Sequence, residues 1–166
     1  MHLVPATGAS SIHNCLGTRY SRPLFNLNVE PFLAMFRWPI SVYYEDTDAG
    51  GVVYHSNYLN FFERARTEWL KQIGVKQTQL LADDIAFVVK HADIDFKVAA
   101  RFEQDLLVES EVIEMKKASM VFRQRLLDQD GTLYCEAHIQ VACVALSRMR
   151  PKAIPHHIVQ ELKGGS

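Results

Sequence analysis

An α+β domain with one antiparallel sheet is the fold class that the sequence predicts, and three observations carry it. One long stretch shows helical apolar spacing, at Tyr58, Phe61, Phe62, Ala65, Trp69 and Ile73. Four stretches of strand character follow, with no second long helix among them. With 166 residues, 48% of them hydrophobic, the chain is long enough for one substantial core. Consecutive strands without crossover helices pair antiparallel, and a single helix must then fill the concave face of a curled sheet.

Taken in order, residues 1–34 stand apart. They hold two arginines and one acid, Glu30, and Pro5, Gly8, Gly17, Pro23 and Pro31 interrupt any periodicity. Without a basic start or a continuous apolar run this is no secretory signal, and the prolines and glycines spoil the amphipathic helix of a transit peptide. We read it as a disordered extension, with Met35 a second candidate start and the domain spanning 35–166. From Arg37 to Tyr44, Trp38, Ile40, Val42 and Tyr44 alternate with Arg37, Pro39 and Ser41, the period of a half-buried strand, and Pro39 suggests an edge. An acidic Gly-Gly turn precedes the long helix, which Gly74 stops.

Thr78 to Ala82 is a short helical or irregular connection. In the next strand Ala92, Ile94, Phe96 and Val98 alternate with His91, Asp93, Asp95 and Lys97. Leu106–Met115, Met120–Leu127 and Leu133–Leu146 read as three more strands, the last two joined at Asp130-Gly131, a common hairpin pair. Arg148–Ile154 reads as a loop and His156–Lys163 as a short terminal helix. The sheet keeps open edges and an uncovered outer face, both commonly relieved by oligomerisation.

The net charge of −1 gives no global attraction to nucleic acid or anionic membranes, and no segment reaches the roughly 18 apolar residues of a membrane span. Of the three cysteines, Cys135 and Cys143 lie eight positions apart in one strand. At roughly 3.3 Å per residue that is far beyond disulfide reach, so they read as buried thiols in a reducing, cytoplasmic compartment.

The chemistry concentrates in Tyr43–Tyr58, YYEDTDAGGVVYHSNY. Acyl transfer needs a carboxylate or other base beside donors for a developing oxyanion, and a helix N-terminus behind glycines supplies backbone donors. The plain alternative is that aspartates beside glycines form turns and caps. A calcium loop starting at Asp46 fails, because position 5 would be Gly50 and position 12 Asn57. A phosphotransferase aspartate pair would follow a strand of a parallel sheet, and the alternating helices are missing.

Phe36-Arg37-Trp38-Pro39, the 43–58 stretch, Phe62-Glu63-Arg64-Ala65-Arg66-Thr67-Glu68 and Ala86-Phe87-Val88-Val89 together resemble the hotdog-fold acyl-CoA thioesterases of the 4-hydroxybenzoyl-CoA type. The resemblance is to the branch associated with the tol-pal cell-envelope system and covers about Phe36 to Leu162. It implies a five-stranded antiparallel sheet wrapped round the long helix, dimers with a continuous sheet, and tetramers as dimers of dimers. It implies no cofactor, since coenzyme A is part of the substrate, and no metal. The matching catalytic carboxylate is Asp48, which either attacks the thioester carbonyl or activates water, and the matching oxyanion donor is the backbone N–H of His55. Both roles need an ionised carboxylate, the usual state of a free aspartate near neutral pH. Ser56 and Asn57 are the better caps by residue type, yet the resemblance places the helix start near Tyr54.

Further candidates are the His55 imidazole as an acid or orienting group, Tyr44 and Tyr58 as core or pocket wall, and Gly51 in the turn. Glu63 is a rival carboxylate, since a second hotdog branch carries its carboxylate on the long helix; otherwise it pairs with Arg66 on a solvated face. Lys116, Lys117 and Arg101 could meet coenzyme A phosphates. His156-His157 lacks companions at metal-ligand spacing. The expected substrate is an acyl-CoA or acyl carrier protein thioester. Dehydration of a hydroxyacyl thioester and non-catalytic binding of acyl thioesters or envelope partners are the alternatives.

Overall fold

The computed structural model of the chain describes residues 35–163, and the expectation for residues 1–34 lies outside them. Alternation makes strand β1 (Phe36–Ser41), which ends sooner than Tyr44 because Asp46 Oδ2 accepts the Tyr43 N–H at 2.9 Å and winds Tyr44–Asp46 into a 3-10 turn. Then come α1 (Asn57–Gln72), α2 (Gln77–Ala82), β2 (Ala86–Phe96), β3 (Asp105–Lys116), β4 (Ser119–Leu127), β5 (Leu133–Ala145), β6 (Arg150–Pro151) and α3 (His156–Leu162). β2 stops short of Val98, because the N–H groups of Lys97 and Val98 both turn to the Tyr134 carbonyl. The loop expected at Arg148–Ile154 contains the two-residue β6, paired with β5.

The strand order is β1-β3-β4-β5-β2, antiparallel throughout, with β6 off this path. Pro39, which has no N–H to give, lies on an edge strand as expected. The inward-facing side chains of the sheet close on α1, the hotdog arrangement implied by the motif resemblance. Phe61, Phe62 and Ala65 are fully buried on the stripe of α1, and Trp69 stacks on Phe36 at 5.7 Å and meets Phe122 edge-on at 6.0 Å. Burying each of the large side chains is worth about 1.5–3 kcal/mol. The helix ends in a Schellman pair, Val75 N–H to Leu70 O at 2.8 Å and Gly74 N–H to Lys71 O at 3.0 Å. Gly74 carries the left-handed φ of 78° that this ending requires.

The outer face carries ion pairs across strands, Arg37 and Arg125 both meeting Glu109 at 2.9 and 2.7 Å, and Arg123 meeting Glu111. Inside, Cys135 and Cys143 are buried thiols on β5 that form no disulfide, and burial pushes both up, Cys135 to about 12. A thiol raised this far stays protonated and inert at neutral pH. Native protein treated with iodoacetamide at pH 7 should therefore show neither residue modified by peptide mapping, and both after unfolding. Labelling of native Cys135 would contradict the burial.

Candidate active site

Asp48 lies at the tip of a hairpin, and His55 directly follows its second arm. Thr47 bridges Val53, Asp48 N–H donates to Val52 O at 2.9 Å, and Tyr54 N–H donates to Asp46 O at 2.9 Å. The tip is a β-turn in which Gly51 N–H donates to Asp48 O at 3.0 Å, and Gly51 takes φ 71°, a value that favours glycine. Asp48 is exposed there, and its Oδ1 accepts the Gly50 N–H at 2.7 Å. Its Oδ2 has no hydrogen bond among the described residues.

Asp46 has a different task. It is 4% exposed, its carboxylate holds Tyr43, and its carbonyl also accepts Asn57 Nδ2 at 3.0 Å. One residue thus ties the arm bearing Asp48 to the start of α1. The hairpin is strapped to the 97–104 loop by Val53 N–H to Ala100 O at 2.8 Å and by the bridge between Val52 and Arg101.

The helix starts at Asn57 with Ser56 as its cap, three residues later than the start expected near Tyr54. Ser56 makes no side-chain capping bond, and Asn57 N–H donates to Tyr54 O at 2.8 Å. His55 and Ser56 are therefore the central residues of a turn leading into the helix, and neither N–H is used in a hydrogen bond among the described residues. The donor expected at His55 is available, but it belongs to this entry turn rather than to the first helical turn. The exposed His55 ring lies against Tyr54, centroids 4.3 Å apart.

Tyr58 is core: 3% exposed, its hydroxyl accepts the Ala100 N–H at 3.1 Å, and burial raises its phenol above the ordinary value. Tyr44, expected as core or pocket wall, is not core: it is 80% exposed and edge-on to Phe102, because the 3-10 turn swings it outward. Glu63 is exposed on α1, and its Oε1 accepts the Thr67 hydroxyl at 2.7 Å. The solvated pair expected between Glu63 and Arg66 does not form. Arg66 turns towards the sheet instead, where its Nη1 donates to Gln124 Oε1 at 2.6 Å, and burial lowers its guanidinium to about 10.

Lys116 and Lys117 are not brought to Asp48 within the chain. The hairpin adjoins the start of β3, through Val42 N–H to Gln104 O, whereas Lys116 ends that 12-residue strand. Eleven steps at ~3.3 Å put the two ends about 36 Å apart along the strand. Lys116 is also paired with Glu114 at 2.7 Å. Arg101, bridged to Val52, is the basic residue that does reach the hairpin.

Residues 42–162 match the family model of the thioesterase-like superfamily. The chain belongs to this superfamily. It is 46% identical over 129 residues to the "Acyl-CoA thioester hydrolase YbgC" of Escherichia coli O157:H7, covering 78% of this chain and 96% of that one. With the "Acyl-CoA thioesterase YbgC" of Haemophilus influenzae the identity is 50% over 124 residues, covering 74% and 90%. Among solved structures, the "Probable Thioesterase" of Bartonella henselae is 31% identical with a TM-score of 0.68, covering 74% of this chain and all of that one.

Three contacts, two around the candidate site and one in the core, were not foreseen from the sequence. Asn57 had a readable signal, an amide at the helix start that can serve a backbone other than its own helix. Gln124 had one too, a polar residue in the inward register of Met120, Phe122 and Leu126. For Gly50 as a donor to Asp48 no signal separates it from an ordinary turn glycine.

Proposed function

We propose that this chain hydrolyses acyl-CoA thioesters to the free acid and coenzyme A, with Asp48 as the reacting carboxylate and the His55 N–H as donor to the developing oxyanion. The observation that carries the reading is an unengaged carboxylate oxygen at the hairpin tip and an unengaged backbone N–H in the turn that directly follows the hairpin. Two routes use these groups. In one, Asp48 bonds to the thioester carbon, the thiolate of coenzyme A leaves, and water then splits the mixed anhydride. In the other, Asp48 takes a proton from water, whose oxygen attacks the same carbon while the thiolate leaves. Either way negative charge grows on the carbonyl oxygen, where an aligned N–H is worth most. The likeness to the YbgC proteins supports the substrate class.

The test is thiol release from acetyl-, butyryl-, octanoyl-, palmitoyl- and 4-hydroxybenzoyl-CoA, with acyl carrier protein thioesters as a separate arm. Release from at least one acyl-CoA is the expected result. An enoyl product without thiol would replace the reading by dehydration, and saturable binding without turnover would replace it by a binding protein.

The reading includes a cytoplasmic enzyme working alongside the tol-pal system, and a homo-oligomer built as a dimer of dimers. Supporting the oligomer, β2 is an 11-residue edge strand without proline that leaves Val89 and Phe96 about half exposed, at 54% and 49%. Such an edge suits pairing with a second copy. Light scattering on the purified chain should give a multiple of 18.9 kDa, and a mass of one chain would overturn this part.

A further inference from the structure

The geometry points to Gly50 as a positioning residue for the reaction, which holds the Asp48 carboxylate by its amide and keeps the space beside it open by having no side chain. The inference rests on the reading of Asp48 as the reacting carboxylate. Its amide donates to Oδ1 at 2.7 Å, at the short end of the N–H···O range. That bond occupies one oxygen and leaves Oδ2 as the oxygen for the thioester carbon or for the proton of water.

A side chain at Gly50 would meet this carboxylate and nothing else. A Cβ there would lie 3.0 Å from Asp48 Oδ1 and 4.0 Å from its Cγ, with no other heavy atom within 4 Å beyond the adjoining residues. Glycine is not demanded by the backbone either, because the left-handed φ of this turn falls on Gly51. Gly50 therefore differs in kind from Gly51: one frees the chain to turn, the other frees the carboxylate to stay where its amide holds it. An added methyl forces Oδ1 away by a few tenths of an ångström or rotates it off the amide, and small misplacements of a reacting group carry large rate effects.

The experiment compares Gly50→Ala, Asp48→Asn and the double variant on whichever panel acyl-CoA is hydrolysed fastest. Gly50→Ala should lower kcat about tenfold with KM within about twofold, and leave the thermal midpoint unchanged or slightly raised, as alanine narrows the unfolded ensemble. In the Asp48→Asn background the same change should cost nothing further, since the group it positions is gone. Full turnover in Gly50→Ala beside an inactive Asp48→Asn overturns the inference. So does an equal loss in both backgrounds with a lowered midpoint, which is the mark of a structural role. Full turnover in Asp48→Asn would instead overturn the assignment of the reaction to Asp48.

Discussion

Asp48→Asn is expected to lower kcat for the best acyl-CoA substrate about a thousandfold, equivalent to about 4 kcal/mol of lost transition-state stabilisation. The amide neither attacks a thioester nor accepts a proton from water at neutral pH. The fold should be unaffected, because Asp48 is exposed and an asparagine oxygen can still accept the Gly50 N–H. Glu63→Gln is the paired control. Its carboxylate accepts only the Thr67 hydroxyl among the described residues, a bond that glutamine keeps, so its loss should stay within about tenfold. A larger loss at Glu63 than at Asp48 would transfer the reaction to the helix.

The largest stability effect is expected at Gln124, which is wholly buried between the sheet and α1. Its Oε1 accepts from Arg66, and its Nε2 donates to the Phe62 carbonyl at 3.0 Å and to Ser110 Oγ at 2.8 Å. Gln124→Leu nearly keeps the volume and removes all three bonds, leaving the guanidinium of Arg66 without its acceptor. The expected cost is about 3 kcal/mol, because the buried Phe62 carbonyl and Ser110 hydroxyl lose their donor and the half-buried Arg66 loses its acceptor. Urea unfolding at fixed protein concentration reads it as a lower midpoint. Arg66→Met in the same chain should recover part of the loss, since the pair can be replaced by apolar packing where half of it cannot. An unchanged midpoint in Gln124→Leu would mean that water reaches this network.

The architecture was legible because it rests on periodicity. The stripe from Phe61 to Trp69 reports one buried face and the structure uses it as expected, whereas the alternation of Ala92, Ile94 and Phe96 gives the strand but not a buried face: Ala92 and Phe96 are exposed, and of the three Ile94 alone packs against the core. Boundaries were less legible where a side chain captures the backbone. Asp46 draws in Tyr43 and ends β1 early, and the turn at Tyr54–Asn57 delays the helix, effects that no apolar pattern records. The candidate site was legible as a motif, with Asp48, Gly51 and His55 on one segment. The roles of Glu63, Arg66 and Lys116 were not, since they depend on which way a helix face turns and which end of a strand adjoins the hairpin. Both are set by packing between residues distant in the sequence.

The strap that holds the hairpin to the 97–104 loop separates two kinds of change. Asp48 and His55 keep their spacing through bonds among residues 46–57, whereas Phe96, Val98 and Phe102 line the neighbouring surface as exposed apolar groups that those bonds do not involve. Substitution can therefore change this apolar surface without disturbing the bonds that space Asp48 and His55. A scaffold divided in this way lets the surface beside the hairpin vary by single substitutions while the hairpin keeps its geometry.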